Sequence, residues 1–212
     1  MDLLFAIFEI IGTVSFAISG AMEAIRHRMD LFGVVMLGII TATGGGVLRD
    51  VVIGAIPPRV FRDPTCAVLA FAVAIVVFLA MRFFASKGDR FVRAREYLYF
   101  FADTAGLAAF TVLGIESANR ADAALLLFVG MITATGGGVM RDVLAGSVPS
   151  IFRKHIYASA SLAGAGVFLL CRLILPQSVA ALIGIAVVMI IRFAAAHFEW
   201  NLPRAQSVWK SE

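Results

Sequence analysis

Long apolar runs alternate with short polar breaks along almost the whole chain. They predict membrane-spanning helices over about 3–25, 31–55, 64–85, 97–115, 123–147, 156–175 and 178–196, because crossing roughly 30 Å of hydrocarbon takes about 20 apolar residues. The breaks hold charged or helix-stopping residues: Arg26 to Asp30, Ile56-Pro57-Pro58, the basic loop Lys87 to Glu96, Glu116 to Asp122, Pro149 and Pro176. Proline lacks an N–H and clashes with the preceding turn, so the second, fifth and sixth spans are expected to end at theirs. A polar tail over 197–212 carries Trp200 and Trp209, a residue favoured where a chain leaves the membrane interface.

The second and fifth runs are each broken by the same motif. Thr41-Ala42-Thr43-Gly44-Gly45-Gly46-Val47-Leu48-Arg49-Asp50-Val51 returns as Thr133-Ala134-Thr135-Gly136-Gly137-Gly138-Val139-Met140-Arg141-Asp142-Val143, 92 positions later, and the match extends through Gly54/Gly146 and Pro57/Pro149. Upstream, at an offset of 94, Glu9, Gly12, Phe16 and Gly20 align with Asp103, Gly106, Phe110 and Gly114. Residues 3–85 and 97–175 are therefore two repeats of three spans each. An odd number of crossings delivers the second repeat from the opposite side, so the repeats must be inverted, the architecture usual for solute pathways. The seventh span, 178–196, stands outside them.

Composition agrees with a single transmembrane domain: 61% of the 212 residues are hydrophobic and the mean hydropathy is +0.95. The net charge of +4 is spread over short loops and forms no nucleic-acid face, so no nucleic-acid partner is expected. It reads instead as topology. With the N-terminus outside, the inner side receives Arg26, Arg28, Arg82, Lys87, Arg90, Arg93, Arg95, Arg153, Lys154, Arg192, Arg204 and Lys210, and the outer side only Arg59, Arg62, Arg120 and Arg172. The positive-inside rule then predicts an inner-membrane protein with a cytoplasmic C-terminal tail. Cys66 and Cys171 have neither metal-ligand spacing nor a disulfide framework and read as small core residues.

The motif carries the candidate chemistry. Three glycines in mid-span let the helix kink or unwind, and bare backbone at that depth is tolerated only in protein or beside a water-filled cavity. Freed carbonyls near Ala42 and Thr43, with the hydroxyls of Thr41, Thr43, Thr133 and Thr135, would suit a cation. The alternative is that Gly44, Gly45, Gly46 and Gly136, Gly137, Gly138 only allow close helix crossing. Arg49 and Arg141 are costly in hydrocarbon and must pair or face water. Neighbours on a helix point about 100° apart, so neither need pair with its own Asp50 or Asp142, and pairing across the pseudo-two-fold is open. Arginines lining a gate and arginines bracing the structure are both consistent with the pattern. Glu9 and Asp103 are candidate counter-charges for Arg49 and Arg141, or ion ligands. No cluster has metal spacing, no Ser, His and Asp arrangement resembles a nucleophilic site, and no cofactor is expected.

The doubled Thr-Ala-Thr-Gly-Gly-Gly-Val-x-Arg-Asp-Val motif in three-span repeats, with a seventh span, resembles the prokaryotic trimeric intracellular cation (TRIC) channel family. The resemblance implies an all-α fold of seven transmembrane helices with the second and fifth kinked at Gly44–Gly46 and Gly136–Gly138. It implies a homotrimer in membrane lipid, a pore in each subunit with Arg49 and Arg141 as its basic residues, and passive flux of monovalent cations, chiefly potassium. It implies no enzymatic reaction. A secondary transporter for a small amino acid such as glycine is the alternative, since bacterial sequences of this type are also called glycine transporters. Phe16, Phe110 and Met140 are large enough to close such a lumen.

Overall fold

The computed structural model describes residues 3–84, 89–118, 122–153 and 156–200. Parts of three predicted loops and the tail beyond residue 200, including Trp209, lie outside them. The described residues form α1 (Leu3–Arg26), α2 (Leu31–Val52), α3 (Arg59–Arg62), α4 (Thr65–Phe84), α5 (Asp89–Ser117), α6 (Ala123–Leu144), α7 (Ser150–Arg153), α8 (Ala158–Cys171) and α9 (Gln177–His197). By length and apolarity α1, α2, α4, the 93–117 part of α5, α6 and α9 can cross a membrane. The helix α8, with 14 residues, is shorter than the predicted span: it reaches about 21 Å at 1.5 Å per residue. From Arg172 to Leu175 the chain instead turns on carbonyls of Phe168, Leu170 and Cys171.

The duplication is visible in the smallest details. Asp30 accepts the Gly33 amide at 2.8 Å to start α2, and Asp122 accepts the Leu125 amide at 2.8 Å to start α6, each satisfying an otherwise orphaned donor. Both helices end at a left-handed glycine, Gly54 at φ 73° and Gly146 at φ 72°. Beyond each proline-marked break lies a four-residue helix, α3 or α7, where the hydropathy pattern predicts only loop. The basic stretch from Asp89 onward is the first part of α5 and not a loop.

In the bundle α2 packs against α6 and α1 against α5, so the two repeats meet along matching helices, while α4 covers α1 and α2. The helix α9 packs on α5 and α8, thickening the second repeat alone. Phe5, Phe8, Val112, Ile115 and Phe168 form one core under α9, and Ala21, Met22, Val34, Leu37 and Val77 form a second between α1, α2 and α4. Many large apolar side chains stay exposed, among them Phe71 and Val76 on α4 and Leu182 and Ile190 on α9, as expected where the solvent is lipid.

Candidate functional site

The two glycine triplets lie where α2 crosses α6. A Cβ on Gly45 would stand 2.0 Å from the Thr133 carbonyl oxygen, and one on Gly137 would stand 2.0 Å from the Thr41 carbonyl oxygen. Only a residue without a side chain admits that approach. Both helices remain α-helical through the triplets, so the unwinding and the freed carbonyls allowed by the sequence do not occur: here close packing is the work of the middle glycine. The first glycine of each triplet receives a side chain from the other helix, Met140 over Gly44 and Leu48 over Gly136. The third leaves room for its own arginine, whose Nη2 would be 3.8 Å from a Cβ on Gly46 and 3.6 Å from one on Gly138.

Each arginine pairs with the aspartate next to it, and not across the pseudo-two-fold. Arg49 Nε donates to Asp50 Oδ1 at 2.8 Å, and Arg141 Nε to Asp142 Oδ1 at 2.8 Å. The 100° between neighbours is overcome by the length of the arginine, which folds back over the bare turn of the third glycine. The second carboxylate oxygen binds backbone instead. Asp50 Oδ2 accepts the Arg59 amide at 2.7 Å, and Asp142 Oδ2 accepts the Ser150 amide at 2.6 Å. One carboxylate thus fixes an arginine and the first residue of a short helix.

Beyond these clips the halves differ. Arg141 is fully buried, and its Nη1 donates to Ser19 Oγ at 2.5 Å and to Asp103 Oδ1 at 2.7 Å. Its Nη2 lies 2.8 Å from Asp142 Oδ1 without hydrogen-bond alignment. The Tyr99 ring centre is 5.4 Å from its guanidinium carbon. Asp103 also accepts from Tyr157 Oη at 3.2 Å and from Arg192 Nη2 at 3.3 Å. Asp103 thus forms ion pairs with two arginines, Arg141 and Arg192.

At the α3 end, Arg49 keeps an 11% exposed side chain beside Asp50. Glu9, expected as its counter-charge, pairs with Arg59 Nη1 at 3.2 Å. The correction has a physical reason: Asp50 already occupies the Arg49 guanidinium, while Arg59 starts α3 at the mouth where Glu9 points. A cavity of about 60 Å³ opens there, lined by Glu9, Thr13, Thr43, Gly46, Arg49, Asp50, Arg59, Asp63, Cys66, Phe110 and Thr133 among others. Asp63 accepts the Thr65 hydroxyl at 2.6 Å, which holds its carboxyl below the usual carboxylate range. A larger cavity of about 440 Å³ lies at the α7 end, lined by Glu23, Arg26, His27, Tyr99, Asp142, Ser147, Val148 and Ser150.

Along α1, Glu9 and Thr13 face the first cavity and Glu23 the second; Phe16 and Ser19 fall between. Phe16 and Phe110 approach with ring centres 5.2 Å apart. All four motif threonines donate to the carbonyl four residues back, at 2.6 Å for Thr41 and Thr133 and 2.8 Å for Thr43 and Thr135. Thr43 and Thr133 line the α3-end cavity, whereas Thr41 is buried against Gly20 and Thr135 is buried within the bundle.

Sequence reasoning misses Ser19, Arg59, Tyr157 and Arg192 as site residues. The positive-inside pattern counts Arg192 among the charges of the inner side, yet it is 4% exposed and its guanidinium carbon lies 4.7 Å from the Tyr157 ring centre. A signal is present in the chain: Arg192 interrupts Val187-Val188-Met189-Ile190-Ile191 before Phe193, where an arginine needs a partner.

A family described as "Glycine transporter" matches residues 6–82 and 100–172. The chain is 37% identical over 199 residues to the UPF0126 inner membrane protein YadS of Escherichia coli, covering 92% of this chain and 93% of that protein. Among solved structures it resembles a TRIC cation channel at TM-score 0.82 and 35% identity, covering 97% and 99% of the two chains. It also resembles the TRIC trimeric intracellular cation channel orthologue of Rhodobacter sphaeroides at TM-score 0.83 and 32% identity, covering 94% and 100%.

Proposed function

Because this chain belongs to the trimeric intracellular cation channel family, we propose that it conducts monovalent cations passively, chiefly potassium, through a conduit inside each subunit of a homotrimer. The conduit runs from the α3-end cavity past Phe110, the α2–α6 crossing and Arg141 to the α7-end cavity. With the N-terminus outside, the α3 end faces out and the α7 end faces the cytoplasm of an inner-membrane protein.

The observation that carries this reading over a glycine carrier is the unequal treatment of the two ends. A carrier that alternates access needs a closure on each side of its site. At the α7 end Arg141 is held by Ser19, Asp103 and Asp142, with Tyr99 and Tyr157 around it. The repeat-related positions are Leu113 for Ser19, Phe5 for Tyr99 and, at the 91-residue offset that relates Arg59 to Ser150, Cys66 for Tyr157, and among the described residues no helix corresponds to α9. The α3 end lacks the side chains for the same lock, so the conduit has one polar gate, which is sufficient for a channel. The uninterrupted α2 and α6 also leave no opened helix ends to grip an amino acid.

Cations still have to pass two arginines. Arg49 is neutralised by Asp50, and Arg141 by Asp103 and Asp142. In planar bilayers the purified protein is expected to give unitary current steps with a cation-selective reversal potential. Saturable glycine uptake without steps would overturn the channel.

A further inference from the structure

The two repeat-related carboxylates, Glu9 and Asp103, have opposite surroundings. Asp103 is held by two arginines and a tyrosine and is 5% exposed in its side chain. Glu9 opens onto the α3-end cavity with 21% of its side chain exposed and meets Arg59, which is 46% exposed. An ion pair that open to solvent contributes only about 0–1 kcal/mol and exchanges readily with a dissolved cation. The rest of that wall offers an acceptor: Thr43 spends its hydroxyl proton on the carbonyl four residues back, which leaves its lone pairs for the cavity that it lines.

We propose that Glu9 is the cation-selecting carboxylate of the α3 mouth and that Arg59 is its tethered competitor, its guanidinium occupying the place a permeating monovalent cation takes. Asp50 holds the competitor in place, because its hydrogen bond to the Arg59 amide at 2.7 Å anchors the start of α3 beside Glu9. At the α7-end cavity the carboxylate of Glu23 faces His27 on its own helix at 3.2 Å. At the α7 end the residue whose amide is clipped by the motif aspartate is Ser150, which carries no charge. The inference deepens the channel reading and rests on it.

Cys66 lines the same cavity and supplies a reporter that does not depend on current. In the full chain with Cys171→Ala, Cys66 is the remaining thiol, and its modification by ethylammonium and ethylsulfonate methanethiosulfonates reads the local charge. Arg59→Gln is expected to favour the cationic reagent and disfavour the anionic one by about three-fold each relative to a neutral reagent, which corrects for any change in thiolate fraction, from removal of a unit charge at roughly 6 Å in a water-like medium. The rate ratio then rises by about ten-fold; Glu9→Gln lowers it, and Arg59→Lys leaves it near the parent value. In bilayers Arg59→Gln raises cation over anion permeability and Glu9→Gln lowers it. A ratio unmoved by either charge removal, or a Cys66 that neither reagent reaches, overturns the proposal. Absence of current with the thiol pattern intact overturns the channel reading and leaves the charge assignment of Glu9 standing.

Discussion

Replacing Gly45 or Gly137 with alanine sets two known effects against each other. In a helix interior alanine is favoured over glycine by about 1 kcal/mol. At either position the new Cβ would lie 2.0 Å from a backbone carbonyl oxygen of the facing helix, and a tolerable C···O contact is about 3.3 Å or more. Both partners are backbone, so no rotamer change relieves the clash; α2 and α6 must part by about 1 Å along their shared crossing. Overpacking of this kind costs about 1–3 kcal/mol or more, so the clash wins. Gly46→Ala is the control, since its nearest neighbour is the Arg49 Nη2 at 3.8 Å, an ordinary contact, and the helix gain of up to about 1 kcal/mol survives. Thermal unfolding in one detergent should therefore rank Gly46→Ala at or above the parent and both Gly45→Ala and Gly137→Ala below it, separated from it by the overpacking cost of roughly 1–3 kcal/mol or more. Because one separation of the helices accommodates both methyl groups, the double variant should cost less than the sum. Equal stability of all three single variants would refute the close-crossing argument and return the triplets to a role in opening the backbone.

Other expectations follow from the clips and the lock. Arg141→Ala leaves Asp103 and Asp142 in a buried site and should cost about 3–5 kcal/mol, whereas Arg49→Ala, at the partly exposed end, should cost clearly less in the same melt. Asp50→Asn and Asp142→Asn weaken one charged acceptor each, by about 1–3 kcal/mol, and should raise amide exchange in α3 and α7 respectively before other regions. Asp30→Ala and Asp122→Ala remove equivalent caps and should each lower stability by about 1 kcal/mol; a large inequality between them would contradict the equivalence of the two helix starts.

The spans and the inverted duplication are legible in the sequence because apolar length and motif spacing are properties of the chain itself. The pairing of Asp103 with Arg141 is legible too, since a charge that deep needs an opposite one. What the residues hide is reach. Arg49 and Arg141 reach their own neighbours by lying over Gly46 and Gly138, a path that angular spacing on a helix does not reveal. The four-residue helices α3 and α7 offer no periodicity to detect, yet they bring Arg59 to Glu9 and Ser150 to Asp142. Arg192 is hidden for a different reason: close to the end of a span, it has the look of a side chain reaching for headgroups, and only the packing of α9 on α5 turns it inward.

Fusion of the two halves into one chain has a consequence at the α2–α6 crossing. Two identical halves meeting at Gly45 and Gly137 would be bound to the same residues on both sides, so any change made to build a lock at one end would be copied into the other. Encoded separately, the halves keep their shared glycine contact under joint steric constraint while their ends vary independently. Glu9 and Asp103 are the outcome of that freedom: one position of the repeated pattern, acidic in both copies, is a wet mouth at one end and a dry bolt at the other. The conduit proposed for this chain would then be polar along its own axis, and currents of opposite direction through it would meet the bolt and the mouth in opposite order.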